Sequence, residues 1–237
     1  MESSNCFLRN RYWVLRHGKS IPNELGLIVS SMENGILEQY KLAVAGVEQA
    51  RLAGDSFRKE LIDNKFQAEN VRICYSPFSR TRHTAQVVAS QLDIPFEGTQ
   101  CMVWYGEVIN DLRERFFGPS YELMSHDKYP EIWDLDEKDP FKQAEEGGES
   151  VADVVSRLTN AITSIESEFQ GCAVLIVSHG DPLQILQTIL SAAIKGYAAG
   201  SCKNQSFASK VEAITVPSIL SHHRKFALLT GELRAVV

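Results

Sequence analysis

The 237-residue chain predicts an α/β fold, a three-layer α/β/α sandwich with a mostly parallel central sheet and a lid insertion. Short apolar runs alternate with longer stretches of helical periodicity, which is the order of elements in a parallel sheet covered on both faces. With 44% hydrophobic residues, a chain of this length can bury a sizeable core as one domain. Residues 110–149 break the alternation. We therefore expect one domain over residues 1–237, with its lid around 110–149.

Two pairs of strand and helix are predicted in the first part of the chain. The apolar run YWVL (12–15) indicates a buried strand, and VRICYS (71–76) indicates a second one. The first strand leads to a predicted helix over 36–54 that stops at Gly54, and the second leads to a helix over 79–92. The first helix has apolar residues at helical spacing, namely Ile36, Tyr40, Val44, Val47 and Ala50.

The alternation returns in the second part. Ser150 and Asp153 stand in capping-box spacing at the start of a helix that runs to about residue 169. The apolar run CAVLIVS (172–178) is typical of a central strand. Asp181 is the predicted N-cap of the next helix, with Pro182 at its first position, and residues 225–236 add a last strand or hairpin. The predicted buried face of the helix after Ser150 comprises Val154, Leu158, Ile162, Ile165 and Phe169.

Two segments lack this pattern. Residues 110–149 contain prolines, the pair Gly147 and Gly148, and many acidic and aromatic side chains, as lids and insertions do. The aromatic residues either line a pocket or belong to an acidic, solvated loop. Residues 196–218 have weak periodicity and are predicted to be loop with room for a short helix. The aromatic residues of the lid are Tyr121, Tyr129, Trp133 and Phe141.

Composition argues against several kinds of partner. A formal net charge of −6 gives no long-range attraction to nucleic acid or to an anionic membrane. No apolar run approaches the roughly 20 residues that span a bilayer, and the first residues lack a signal core. We expect a soluble protein of the cytoplasm or nucleus, and homodimer formation stays open. The cysteines, odd in number and without metal-ligand spacing, fit a reduced compartment: Cys6, Cys74, Cys101, Cys172 and Cys202.

Three polar residues follow the ends of predicted strands. His17 follows the first strand, Arg80 begins the helix after the second, and His179 follows the strand CAVLIVS. The carboxyl ends of parallel strands share one edge of the sheet, where ligands bind and helix N-termini face anions. Taken singly, each His can be an ordinary strand-end residue and each Arg a salt-bridge partner. Their shared placement, with Arg16 beside them, favours an anion-binding site.

Phosphoryl chemistry suits this cluster. Guanidinium groups bind anionic oxygens, and a neutral imidazole nitrogen is a competent nucleophile toward phosphorus. Cations around His17 would disfavour its protonation and keep that nitrogen available. The leaving oxygen needs a general acid, for which the stretch DLRERFFG supplies Glu114 and, as a weaker candidate, Asp111.

Six short motifs occur in order between about residues 12 and 187. The motifs and their residues are LRHG (Arg16, His17), with Ser20 and Asn23 beyond it; LAVAGVEQA (Gly46, Gln49, Ala50); SPFSRTRHTA (Arg80); LRERFFG (Glu114); GGES, before the helix that contains Arg157; and VSHG (His179, Gly180). In this combination they resemble the histidine phosphatase superfamily, in the branch related to phosphoglycerate mutase.

The resemblance implies a two-step phosphoryl transfer. His17 attacks phosphorus to form a phosphohistidine, and water activated by Glu114 then releases phosphate. No metal or cofactor is required, and the sequence shows no clustered carboxylates that would hold a metal. The implied substrate is a small phosphorylated metabolite. The phosphate-binding residues are Arg16, Asn23, Arg80, His179 and Gly180.

Two departures and three functional readings stand beside the resemblance, and one departure is Pro22, which replaces a Trp common in the family. Lys19 occupies a position where the family has Glu or Gln, and it either reaches substrate phosphate or points to solvent. The readings are a metal-independent phosphatase, a phosphoglycerate-type mutase and a catalytically silent protein that binds a phosphorylated ligand. The silent protein is disfavoured because both His17 and Glu114 are present. The mutase is disfavoured because no arginine lies between Gly118 and Gly148, so a second phosphate would meet a field of the wrong sign.

Overall fold

The computed structural model describes residues 8–96, 106–198 and 205–236. The strands in these ranges are β1 (Arg11–Arg16), β2 (Val71–Tyr75), β3 (Gly106–Val108), β4 (Ala173–Ser178) and β5 (Leu233–Ala235). The helices are α1 (Ile21–Leu25), α2 (Met32–Gly35), α3 (Val44–Asp63), α4 (Ser79–Gln91), α5 (Tyr129–Lys138), α6 (Val151–Glu168), α7 (Gly180–Ala198), α8 (Phe207–Ile214) and α9 (Pro217–Leu220).

The strands form one sheet in the order β3-β2-β4-β1-β5. β4 lies in the middle, and all of its residues are buried, as its apolar run predicts. The neighbours pair in parallel, except that β5 is antiparallel to β1. The predicted α/β class with a mostly parallel sheet is therefore confirmed, whereas the edge strand β3 was not predicted.

Helices cover both faces of the sheet. Successive side chains of β1 point to opposite faces, so Tyr12 and Val14 enter one core and Trp13 and Leu15 enter the other. The first core is closed by α6, α7, α8 and α9, and the second by α3 and α4. This arrangement leaves the carboxyl ends of the parallel strands free of covering helices, at one edge of the sheet.

Helix α3 differs from its prediction at both ends. It begins at Val44, which is 90% exposed, and continues through Gly54 to Asp63. Gly54 lies against α4, where an added Cβ would be 2.7 Å from the Cβ of Gln91, so this glycine permits close helix packing and does not end the helix. Ile36 and Tyr40 precede the helix. Its buried face is made of Gly46, Ala50, Ala53, Gly54, Phe57 and Leu61.

The start of α6 is confirmed and the start of α7 is corrected. Ser150 Oγ accepts from the amide of Asp153, and Asp153 Oδ2 accepts from the amide of Ser150, at 3.1 and 2.8 Å. Helix α7 begins at Gly180, one residue before the predicted cap. The carboxylate of Asp181 instead accepts a hydrogen bond from Arg115 at 3.1 Å. The predicted face of α6 is buried, and Phe169 packs against the same core.

Segment 110–149 contains α5 and three short 3₁₀ turns. It is organised around a small cluster of Ile28, Phe117 and Ile132, against which Tyr129 and Trp133 pack. Tyr121 joins this cluster, while Phe141 is 45% exposed. Tyr121, Tyr129 and Trp133 therefore belong to the apolar cluster of this segment, and Phe141 lies outside it.

The prediction of loop over 196–218 was wrong for most of its described part. Helix α7 continues into it, and α8 and α9 follow. Helices α8 and α9 are short and have weak apolar periodicity. They are stabilised by tertiary packing, because Val211 and Leu220 are buried against α7. Residues 199–204 lie outside the described residues.

The C-terminal segment closes back on β1, as its prediction as a strand or hairpin requires. β5 pairs with Trp13 to Leu15. Before it, the amide of Gly231 donates to the carbonyls of Arg16 and His17, at 3.0 and 3.1 Å. Gly231 has a φ of 75°, which favours glycine at this turn. The end of the chain is thus fixed to the strand that carries the first histidine.

Cys74 and Cys172 are buried and free, while Cys6, Cys101 and Cys202 lie outside the described residues. Among the helices that the structure describes, none combines the length and apolar character needed to cross a membrane.

Candidate active site

The two histidines are brought together by the register of the sheet. In the pairing of β1 with β4, Arg16 lies opposite Ser178, so His17 and His179 leave adjacent strands at the same level. Their ring centroids are 5.2 Å apart. Arg80 enters from the other side of β4, on the first turn of α4 after β2. We call His17, Arg80 and His179 the floor of the site; each is at most 4% exposed.

Arg80 connects the members of the floor. Its Nε donates to His17 Nε2 at 3.1 Å and to His179 Nδ1 at 3.2 Å. Its Nη2 donates to the carbonyl of Val29 at 3.0 Å, and the guanidinium lies over the ring of Phe78. Nη1 is buried and has no hydrogen-bond partner among the described residues. The floor therefore holds a guanidinium with one N–H edge unused.

His17 is held in one tautomer. Its Nδ1 lies 2.8 Å from the carbonyl oxygen of Gly18, which can only accept, so Nδ1 carries the proton and Nε2 carries the lone pair. Burial, followed by the charges of Arg80 and Arg16, lowers the pKa of His17 well below its ordinary value. The imidazole is therefore neutral, and its Nε2 lone pair accepts the hydrogen bond from Arg80 Nε.

The loop after His17 is fixed by the start of α3. An added Cβ at Gly18 would lie 2.2 Å from the carbonyl oxygen of Gly46, and one at Gly46 would lie 2.0 Å from that of Lys19. Gln49 Oε1 accepts from the amide of Lys19 at 2.7 Å. The motif residues Gly46 and Gln49 thus position the loop and do not touch the floor.

His179 is neutral for similar reasons. Its Nδ1 accepts from Arg80, and its Nε2 lies 2.8 Å from Ser76 Oγ. Burial, and then the charge of Arg80, lowers its pKa well below the ordinary value. Ser76, which follows β2, orients this ring and was not predicted.

Glu114 lies above the floor. Its Oε2 is 3.7 Å both from Arg80 Nη2 and from His179 Nδ1. Burial raises the pKa of Glu114 to about 7, against the opposing charge of Arg80. At neutral pH this carboxyl group can therefore either give or take a proton. Asp111, the weaker candidate, lies 3.7 Å from Arg113 and does not line the cavity.

Arg157 holds the backbone that carries Glu114. From the buried face of α6 it donates to the carbonyls of Asp111, Arg113 and Glu114, at 2.6, 3.0 and 3.3 Å. This positioning residue was not assigned a role from the sequence. A signal was available, because Arg157 lies at helical spacing between the buried Val154 and Ala161.

The remaining phosphate-binding candidates lie at the mouth of the floor. Arg16 Nη1 donates to the carbonyl of Leu228 at 2.7 Å, while its Nε is buried with no partner in the described ranges. Gly180 lines the cavity beside Arg16. Asn23 also lines it, but its Oδ1 accepts from Ser20 in the capping box of α1. Lys19 lies 3.9 Å from Glu24 and is not a lining residue.

Beside the floor is a cavity of about 380 Å³, which Arg16 and Glu114 line but none of the floor residues His17, Arg80 and His179 does. Segment 110–149 contributes mainly its aromatic residues, and α7 and the C-terminal segment contribute the rest. The lining residues besides Arg16, Asn23, Glu114 and Gly180 are Phe117, His126, Tyr129, Trp133, Asp181, Gln184, Arg224, Ala227 and Leu228.

A buried ionic network, which we call the wall network, lies behind this cavity. Arg115 is fully buried and donates to both oxygens of Asp136, at 2.7 and 2.8 Å, and to Asp181 at 3.1 Å. His223 Nε2 lies 3.9 Å from Asp136 and 3.8 Å from Asp181, and these carboxylates help to raise the pKa of His223 despite its burial. Arg224 completes the network, 3.9 Å from Asp181.

The wall network corrects the expectation that no carboxylates cluster. Asp136, Asp181 and His223 offer three ligand atoms within 4.8 Å of one another. Arg115, however, already donates to both carboxylates. A metal ion bound there would lie beside this fixed positive charge and be repelled by it. The residues fit an ionic network better than a metal site.

Comparison with known proteins gives a family match and related proteins. The family model of the histidine phosphatase superfamily (branch 1) matches residues 12–209. Phosphoserine phosphatase 1 of Hydrogenobacter thermophilus is 22% identical over 201 residues, which cover 82% of each chain.

Solved structures show the same fold. The mycobacterial glucosyl-3-phosphoglycerate phosphatase superposes with a TM-score of 0.57 at 21% identity, over 76% of this chain and 79% of its own. The alpha-ribazole phosphatase of Shigella flexneri gives a TM-score of 0.58 at 23% identity, over 95% of this chain and 89% of its own.

Proposed function

The chain belongs to the histidine phosphatase superfamily, and on that premise we propose that it is a metal-independent phosphomonoesterase with His17 as its nucleophile. One observation carries the proposal. Two buried guanidinium N–H groups, Arg16 Nε and Arg80 Nη1, have no partner among the described residues, and both belong to arginines beside the lone pair of His17. Buried donors of this kind are costly unless a ligand supplies acceptors, and phosphoryl oxygens would do so.

The first step transfers the phosphoryl group to the protein. His17 Nε2 forms a bond to phosphorus as the ester P–O bond breaks, and the Glu114 carboxyl gives its proton to the leaving oxygen. Arg16 and Arg80 stabilise the charge on the equatorial oxygens. His179, Asn23 and the N-terminus of α7 at Gly180 bind the same group.

The second step returns the protein to its starting state. The Glu114 carboxylate takes a proton from water, the water oxygen bonds to phosphorus, and the N–P bond breaks to release inorganic phosphate. A pKa of about 7 lets the same side chain serve as acid and then as base. No step uses a metal, because the arginines supply the positive charge.

The proposal extends to the substrate and to the organisation of the chain. Relatives of this chain are named for phosphoserine and glucosyl-3-phosphoglycerate, which favours a small phosphorylated metabolite as substrate. We propose a single domain in which segment 110–149 is the lid. Free, buried Cys74 and Cys172 support a reducing compartment such as the cytoplasm.

A mutase is the second candidate, and the structure gives one observation in its favour. The cavity receives a cation from outside segment 110–149, because Arg224 lines it. The lack of arginine between Gly118 and Gly148 is therefore a weaker argument for hydrolysis than the sequence suggested.

A primed assay separates the candidates. The protein is incubated with a chelator and with phenyl phosphate, and separately with 3-phosphoglycerate and the bisphosphate primer. We expect phosphate release from phenyl phosphate that the chelator does not change, and negligible 2-phosphoglycerate. Isomerisation faster than phosphate release would establish the mutase. Loss of turnover with chelator, restored by a divalent metal, would overturn the metal-independent route, and no turnover of either substrate would favour the silent binding protein.

A further inference from the structure

We propose that Arg224 is the specificity residue of the cavity and binds a carboxylate on the alcohol part of the substrate. The inference rests on the proposed function and narrows its substrate class to small phosphomonoesters that carry one carboxylate. It depends on the orientation of Arg224 and on the charge balance of the wall network.

Arg224 is held in place by stacking, and its N–H groups have no hydrogen-bond acceptor among the described residues. Its guanidinium carbon lies 3.6 Å from the ring centre of Trp133, on helix α5. A guanidinium that stacks through its face leaves its N–H edge available for a carboxylate. Its one described ion pair, with Asp181 at 3.9 Å, is long. Arg224 is thus oriented at the cavity with most of its donors unused.

The charges of the wall network are balanced without Arg224. Asp136 receives two hydrogen bonds from Arg115, and Asp181 receives a third and also lies near His223. Burial alone would raise the pKa of Asp181, but the contacts with His223 and Arg115 lower it overall, so the carboxylate is ionised. Two carboxylates therefore face three cations when His223 is protonated. Two members of the network line the cavity, Asp181 and Arg224, and Arg224 is the cation among them.

An unpaired amide lies on the same wall. Gln184 follows Gly180 by one turn of α7 and lines the cavity, yet its side chain is only 6% exposed. Its Oε1 has no hydrogen-bond partner within the part of the chain that the structure describes. A buried acceptor without a partner is unfavourable unless a ligand donates to it. This oxygen therefore requires a hydroxyl or ammonium group of the ligand, and not the carboxylate that Arg224 binds, which can only accept.

The size and charge of the cavity favour one carboxylate over a second phosphate. About 380 Å³ holds a phosphoryl group and a small organic part. A carboxylate carries one negative charge and matches a single guanidinium edge. A phosphate dianion would bring a second negative charge close to Asp181, which lines the same cavity.

Binding of two matched phosphonates tests the subsite without requiring turnover. Titration calorimetry compares 4-carboxybenzylphosphonate with the neutral 4-carbamoylbenzylphosphonate on the wild-type protein, Arg224→Gln, Arg224→Lys and Lys225→Gln. Lys225 is the exposed neighbour, so its variant removes the same charge outside the cavity. We expect the wild-type protein and Lys225→Gln to prefer the carboxylate by about tenfold or more. Arg224→Gln should reduce that preference to about threefold or less, and Arg224→Lys should fall between, since it retains the charge but not the fork.

The outcomes separate the two proposals. Equal affinity of the wild-type protein for both phosphonates, or a preference that persists in Arg224→Gln, would overturn the carboxylate subsite and leave the phosphatase intact. Equal loss in Lys225→Gln would reduce the effect to long-range charge and also overturn it. If neither phosphonate binds, the phosphoryl site fails and both proposals fall. Thermal unfolding of each variant checks that Arg224→Gln is folded, and Arg224→Lys carries the test if it is not.

Discussion

In the floor, the pairing of the strands sets the positions of the side chains. In the wall network, ionic contacts between the charged side chains set their positions. His17 and His179 sit where they do because β1 and β4 pair in parallel with Arg16 opposite Ser178. In the wall network, Arg115 and Asp136 come from segment 110–149, while His223 comes from the C-terminal segment. A register fixes the first group, and ionic contacts between distant parts of the chain fix the second.

The difference shows which part of the site can change. The floor is tied to a fully buried strand, so moving it requires a different sheet. The wall network is joined through side chains, and another set of side chains could close the cavity over the same floor. We therefore expect substitutions in the floor to abolish chemistry, and substitutions in the wall to change stability and substrate preference.

The largest effect is expected from removal of the proposed nucleophile. His17→Ala should lower phosphate release by several orders of magnitude while the fold is retained, because the side chain lies in a loop after β1 and contributes little to the core. Steady-state rates with phenyl phosphate and circular dichroism measure the two quantities. A folded variant that keeps more than a few per cent of the wild-type rate would remove His17 from the mechanism.

Replacement of the acid should have an effect that depends on the substrate. Glu114→Gln cannot protonate a leaving oxygen, so hydrolysis of alkyl phosphates should fall by about 10²- to 10⁴-fold. Phenyl phosphates with acidic leaving groups should be affected less at the first step. Because the second step needs the Glu114 base with either substrate, the first step is measured alone, as the burst of released alcohol or phenol. Equal losses of that burst rate on both classes would reassign Glu114 to binding.

Substitutions in the wall network should change the free energy of unfolding. Arg115→Met leaves the buried Asp136 carboxylate without its partner, and we expect a loss of about 3–5 kcal/mol in the free energy of unfolding. The double variant with Asp136→Leu should recover much of that loss. Arg51→Met, which removes an exposed pair with Glu48, should change stability by less than about 1 kcal/mol. Urea unfolding measures all three, and an effect of Arg115→Met no larger than that of Arg51→Met would contradict the role of the network.

A smaller effect is expected in how Glu114 makes the free energy of unfolding depend on pH. Because burial raises the pKa of Glu114 from 4.5 to about 7, the folded protein retains a proton that the unfolded chain releases, so stability falls as the pH rises through this range. Glu114→Gln should gain stability relative to the wild-type protein, by ~3 kcal/mol at most, between acid and pH 8.

Glu122 serves as the control of opposite sign. Burial alone would raise its pKa, but hydrogen bonds from Asn34, Ser30 and Ser31 lower it overall. Glu122→Gln should therefore lose stability at neutral pH, and its deficit should shrink as the pH falls through the lowered pKa. Unfolding curves for both variants at several pH values measure these trends. The same pH dependence in the two variants would contradict the opposite pKa shifts of Glu114 and Glu122.

The sequence predicts the floor better than the wall for a physical reason. Strand ends, caps and close glycines are local: CAVLIVS predicts a buried strand, Ser150 and Asp153 predict the start of α6, and His179 follows directly from the strand. Arg224 and Gln184 have no local signal. Their place in the cavity depends on how α7 and the C-terminal segment pack against α5.

The errors have the same origin. Gly54 suggests a helix end by composition, but the close packing of α3 on α4 uses it as a point of contact. Asp181 has the sequence position of an N-cap, yet its carboxylate accepts from the buried Arg115, since a buried guanidinium without a partner is costly. Long-range contacts decided both cases.

The attachment of the C-terminal segment to β1 has a consequence for the order in which the protein is made. Arg16 leaves the ribosome early, but the carbonyl of Leu228 that holds its Nη1, and the Gly231 amide that binds the carbonyls of Arg16 and His17, are synthesised more than two hundred residues later. During translation the nascent sheet can form around β4 while the mouth of the floor is still open. Phosphoryl transfer should therefore begin only after residues 228–235 have emerged and paired, so a nascent chain arrested before them would be folded in its core and inactive.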